Sequence, residues 1–136
     1  RYKFTPASEE NVNARIKVEY GDAEGKTVYS PEAECGGGYK NNDFGGLAFY
    51  TNRSGEARLA GTAKVSKLSK VPNSAWNGEK SVTFQGNTYL VADDVACYNA
   101  AADKWVTVSR ARAFSDTADL YYDSIGEKIR IVVVGN

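Results

Sequence analysis

The chain has 136 residues, with 17 basic and 17 acidic side chains, two cysteines, and neither histidine nor methionine. Without histidine there is no Ser-His-Asp or Cys-His nucleophile and no His-containing zinc or iron site, and two cysteines alone cannot complete an all-Cys cluster. Residues 1–63 hold eight Lys/Arg against nine Asp/Glu, and residues 64–136 hold nine against eight, so neither half has the basic surplus that phosphate-backbone binding needs.

Hydrophobic residues make up 42% of the chain, which favours a packed globular core over disorder. No apolar run approaches the roughly 20 residues that span a bilayer. Nucleic acid and membrane are therefore not expected partners. The chain opens on Arg1 with neither a start methionine nor a signal peptide, which predicts an excised or processed segment.

Residues 1–12 are polar and read as a tail or lead-in strand. Ile16-Lys17-Val18-Glu19-Tyr20 alternates apolar and charged, the period of a half-buried strand. A Gly21–Gly25 turn and Lys26-Thr27-Val28-Tyr29 complete a hairpin. Residues 36–46 read GGGYKNNDFGG, almost pure loop composition. Leu47-Ala48-Phe49-Tyr50 and Ala57-Arg58-Leu59 flank an Asn52–Gly55 turn as a second hairpin. From Lys64 to Val71, lysines and apolar residues recur every third position, which fits neither strand nor helix and predicts a bent strand or connector ended by Pro72.

Ser81–Gln85 alternates again, Gly86-Asn87 is a two-residue turn signal, and Thr88–Val91 is the return strand. Trp105-Val106 predicts a short strand. Ser109–Phe114 is the one plausible helix, capped by Thr107 or Ser109. Leu120-Tyr121-Tyr122, the Asp123–Gly126 turn and Ile129–Val134 form a last, strong hairpin, with Ile129, Ile131 and Val133 expected to face the core and Lys128 and Arg130 solvent.

Three pairs of segments match in order: Val18/Tyr20 with Val82/Phe84 at an offset of 64, Tyr29–Cys35 with Val91–Cys97 at 62, and Phe49–Glu56 with Leu120–Glu127 at 71. Each change of offset falls in a loop, which favours duplication over generic hairpin similarity. The expectation is an all-β chain of two tandem small β-barrel-like modules, partly open and OB- or SH3-like, over 13–63 and 64–136, with one short helix in the second.

The candidate chemistry is thin. Asp93-Asp94, with Asp119 and Asp123, offers carboxylates for glycoside cleavage, but neighbours on a strand point to opposite faces and the pair reads as a solvated corner. Water there should hold carboxylate pKa values near normal, so no catalytic residue is assigned. Asn41-Asn42-Asp43 offers oxygen ligands but lacks the alternating acids and closing Glu of a calcium loop. No metal or cofactor is expected.

Cys35 and Cys97 occupy matching repeat positions and read as small buried hydrophobes, with a disulfide between them left open. Asn52-Arg53-Ser54 is a glycosylation sequon whose residues the adjoining turn already explains. Trp76, Trp105, Tyr39, Phe44, Tyr98 and Tyr122 serve either as core or as a platform for sugars. Trp76, beside Asn77-Gly78, is the best candidate for exposure. A ligand site is therefore drawn at Trp76, Tyr39, Phe44, Asn42 and Asp43.

Thr88–Asn99 (TYLVADDVACYN), Trp105–Phe114 (WVTVSRARAF), Leu120–Asp123 and Lys128–Val132 together resemble the repeated β modules beside S-layer homology domains in surface proteins of Gram-positive bacteria. Those modules run as a strand pair, a DDV-x-x-Y corner, a short helix and a YYD…GK-(I/V)-R hairpin. The resemblance covers residues 64–134; the first half joins it through the repeat alone, with the Gly36–Gly46 loop where the helix should be. It implies a secreted, wall-associated location and a non-catalytic spacer role, with other domains of a larger surface protein as partners. The alternative is a carbohydrate- or cell-wall-binding module, for wall or host glycan, using exposed aromatics and the Gly36–Gly46 loop.

Overall fold

The computed structural model describes residues 1–123 and 127–136. Among the described residues the chain is all-β with one short α-helix. It divides into two compact units, one of Arg1–Glu19 and Tyr29–Lys64, the other of Tyr20–Val28 and Val65–Asn136. The division at Lys64 lies beside the expected module boundary, and the tip of the first hairpin groups with the second unit.

In the first unit, β1 (Tyr2–Thr5) pairs antiparallel with β2 (Ala14–Gly21), so the lead-in opens as a strand and residues 6–13 connect it to β2. β3 (Thr27–Tyr29) and β4 (Ala33–Cys35) both lie beside β2, completing a four-stranded sheet. β5 (Gly46–Thr51) and β6 (Ala57–Ala63) form a separate hairpin. Its turn and that of the first hairpin share one chemistry. Asp22 Oδ1 accepts from the Glu24 and Lys26 amides, and Asn52 Oδ1 accepts from those of Ser54 and Glu56. Gly25 and Gly55, at φ of 79° and 81°, take the left-handed position that each turn requires. Buried apolar side chains in this unit are few: Tyr2, Ala14, Ile16 and Ala33.

The second unit is built on a seven-stranded sheet that curls into a half-barrel. Its elements are β7 (Val65–Pro72), a 3-10 turn (Asn73–Ala75), β8 (Trp76–Asn77), β9 (Ser81–Phe84), β10 (Asn87–Asn99), β11 (Lys104–Val106), α1 (Val108–Phe114), β12 (Thr117–Asp123) and β13 (Lys128–Val134). The path runs β7-β12-β13-β10-β9-β8, with β11 also on β10. All ladders are antiparallel except β10–β13, which is parallel.

The ladder registers place Leu68, Leu120, Val132, Cys97 and Val106 in one row across the curl. With Val71, Val82, Ile129, Val134 and Ala111 of α1 they form the main core. The opposite face is also buried, by Tyr98, Trp105, Ile131 and Val133. Gly21 packs there, where an added Cβ would stand 2.7 Å from Trp105 Cβ. Helix α1 starts at Thr107, whose hydroxyl accepts from the Arg110 amide at 3.2 Å, as a cap should.

Two local expectations need correction, on the β9–β10 turn and on the facing of β13, and a third, the bent strand before Pro72, finds its cause. The turn of the β9–β10 hairpin is Gln85-Gly86, not Gly86-Asn87: Phe84 pairs with Asn87, and the two turn residues have φ of 52° and 82°. The period of three in β7 arises from a bulge, because two residues separate Leu68 from Val71 while one separates their partners Leu120 and Ala118. Lys70 takes a φ of 52° there. A second register break opposite Tyr121 and Tyr122 flips the parity of β13. Ile129, Val132 and Val134 therefore share the main core, while Ile131 and Val133 are buried on the other face. The Asp123–Gly126 turn falls largely on residues 124–126, outside the described residues.

Candidate functional site

Of the aromatics, Trp76, the residue whose turn context points most to exposure, is buried at 7%. The short β8 pairs it with Val82 of the core, and the Arg112 guanidinium lies 4.9 Å from its ring. That corrects the sugar-platform reading at this residue. Trp105 is likewise buried, with Tyr98 at 5.0 Å, and Tyr122 packs against Tyr89 at 4.9 Å.

The remaining candidates lie together on the loop before β5, stitched to the edge of β1. The Tyr2 amide donates to Asp43 O at 2.9 Å and the Asn42 amide to Tyr2 O at 2.8 Å. Asn41 Oδ1 accepts from the Phe4 amide at 2.5 Å, and Asn42 Oδ1 from Lys3 Nζ at 2.8 Å. Tyr39, half-buried, meets Tyr2 edge-on at 5.5 Å and Phe4 at 5.9 Å. Phe44 is half-buried too. Glycine is needed at 45 because a Cβ would run into the Tyr2 phenol. The loop is thus pinned along β1, and its Asn-Asn-Asp run satisfies backbone groups of that strand.

The acidic residues separate by environment. Asp93 and Asp94 are both exposed within the irregular stretch of β10, and Arg130 bridges Asp94 at 3.5 Å and Asp123 at 2.6 Å. Asp119 differs from the expected solvated corner: it is 7% exposed. Burial alone would raise its pKa. The Lys70 amide at 3.0 Å, the Asn136 amide at 2.6 Å and the Lys67 ammonium at 3.5 Å outweigh that and hold it below the usual carboxylate range. The carboxylate closes the β7 bulge, which is a structural task.

Both cysteines are free thiols, so no disulfide joins them. Burial pushes the Cys97 thiol up to about 12, and Glu79 adds to the shift. Burial also raises Cys35, with Arg15 opposing. Neither is tuned toward a thiolate nucleophile. Among the described residues no group of three or more His, Cys, Asp or Glu side chains is placed to hold a metal. Among the described residues no helix is long and apolar enough to cross a membrane.

Sequence reasoning missed Lys3 and Lys17. Both line a groove of about 340 Å³ with Asn41, Asn42 and Glu32. Only the β1–β2 register, which puts the two lysines directly opposite each other, brings them together; no local motif signals it. Comparison of the chain with protein families, with curated proteins and with solved structures finds no match.

Proposed function

We propose that the chain is a non-catalytic spacer module of a secreted bacterial surface protein, holding neighbouring domains apart at the cell wall. The observation that carries this reading is the setting of β13. It runs between antiparallel β12 and parallel β10, with Ile129, Ile131, Val132, Val133 and Val134 all buried. Tension along such a strand loads both ladders in shear, so many hydrogen bonds must fail together. Its end is also clamped. The Ala100 amide donates to Val134 O at 2.8 Å, and Gly135 sits so close to Asn99 and Ala101 that a Cβ would be 2.7 Å from Asn99 Oδ1.

The chemistry-bearing residues support the same reading through the tasks they perform. Asn41 and Asn42 complete β1, Asp119 closes a bulge, and Trp76 fills the core. The wall-associated location in this reading rests on the resemblance to modules beside S-layer homology domains.

Exchange of the segment, within the surface protein that carries it, for an unrelated β module of equal span is the test. A spacer role predicts that the exchange preserves surface exposure and activity of the flanking domains while deletion impairs them. Loss on exchange equal to loss on deletion would show that these particular residues bind or react.

A further inference from the structure

The outer face of the first sheet carries an arrangement that spacing does not use. Lys3 and Lys17 are directly opposed in the β1–β2 ladder, where facing like charges weaken a sheet. Lys3 reaches Asn42 Oδ1 at 2.8 Å and Glu19 at 3.6 Å. Lys17 is half-buried, lies 4.7 Å from the centre of the Tyr29 ring, and has no carboxylate partner among the described residues. The lysines share the groove of about 340 Å³ with Thr5, Asn41, Asn42 and Glu32.

The groove is rich in donors. Asn41 Oδ1 is taken by the Phe4 amide and Asn42 Oδ1 by Lys3, so each amide keeps its NH₂ end for a ligand. Glu32, the one carboxylate of the lining, is held by Arg15 at 2.8 Å. Tyr29, 53% exposed, adds an aromatic shoulder beside Lys17. Ammonium groups attract an oxyanion as point charges, and amide donors with an exposed ring suit sugar hydroxyls and a sugar face.

We propose that this groove binds an oxyanion carried on a saccharide chain, a phosphate or carboxylate seated between Lys3 and Lys17 with neighbouring hydroxyls on the Asn41 and Asn42 amides. The opposed lysines are then a binding device whose repulsion the ligand relieves. This site is independent of the spacer role, and its failure would leave that role standing.

The test is titration of the full chain at low salt with dextran phosphate, carboxymethyl dextran, plain dextran and polyglutamate, followed by amide chemical shifts. Expected is at least tenfold tighter binding of one charged dextran than of plain dextran or polyglutamate, with shifts on β1, β2 and residues 41–42. Which charged dextran binds more tightly identifies the oxyanion. Lys17→Gln should weaken binding at least fivefold, while Lys17→Arg and Lys104→Gln, outside the groove lining, stay within twofold of the parent chain. Binding of neither charged dextran, equal binding of polyglutamate, an unaffected Lys17→Gln, or loss with Lys17→Arg in a chain whose spectrum is otherwise unchanged would each overturn the proposal.

Discussion

The two units solve the same problem of small β sheets by different means. The second buries a continuous row from Leu68 through Leu120, Val132 and Cys97 to Val106, with further apolar residues on both faces of β13. The first has few buried apolar side chains and ties its strands with side chain–backbone bonds through Asn41, Ser30 and Tyr2. Apolar burial gains free energy in proportion to area, whereas a net hydrogen bond contributes only about 1 kcal/mol. The second unit should therefore hold most of the stability and the first should offer the more adaptable surface.

The largest expected effect lies at the centre of the buried row. Leu120→Ala leaves a cavity at a fully buried site and should cost about 3 kcal/mol, read by denaturant unfolding followed at Trp105. A loss below 1 kcal/mol would mean that the row is not packed as described. Gly45→Ala probes the other unit, since its Cβ meets the Tyr2 ring. It should cost about 2 kcal/mol of overpacking, with exchange accelerated in β1 and β5 but not in β13. Uniform acceleration would erase the distinction between the units.

Asp119 gives a pH test of the bulge. Its folded pKa lies below the ordinary value, so its stabilisation is complete above the unfolded pKa of about 3.9. That stabilisation is lost as pH falls through the folded value. Asp119→Asn should be the less stable protein at neutral pH by about 2 kcal/mol, yet lose less stability than the parent on acidification below about pH 4. Parallel pH profiles would contradict the ionised, hydrogen-bonded state.

Thr107→Ala removes the cap of α1 and should cost about 1 kcal/mol, measurable as a small shift of the urea midpoint. The thiols should show the smallest perturbation and the cleanest contrast. Cys35, half-buried, should react with a thiol reagent in the native chain, and Cys97, 1% exposed, only on unfolding.

Much of the second unit is legible in the sequence because its strands are β-branched or aromatic runs bounded by turn signals. Ser81–Phe84 and Ile129–Val134 read as strands and are strands, and Thr107 caps the one helix. Alternation fails where a bulge inserts a residue. Lys70 and the break beside Ile131 each flip the parity, and nothing local in a lysine or an isoleucine announces it. Trp76 misleads because a turn dipeptide beside it suggests exposure, whereas β8 pairs it with core Val82. The loop asparagines are visible as polar residues, but their task depends on β1, some 37 residues away in sequence. Lys3 and Lys17 meet through register alone, so no motif could have joined them.

Residue-resolved hydrogen exchange of the native chain tests the contrast between the units most directly. The amides of β10, β12 and β13 should be the last to exchange, through global unfolding, while those of β1, β5 and β6 exchange earlier by local opening. Equal protection in the two sets, or slower exchange in β5 and β6 than in β13, would contradict the account.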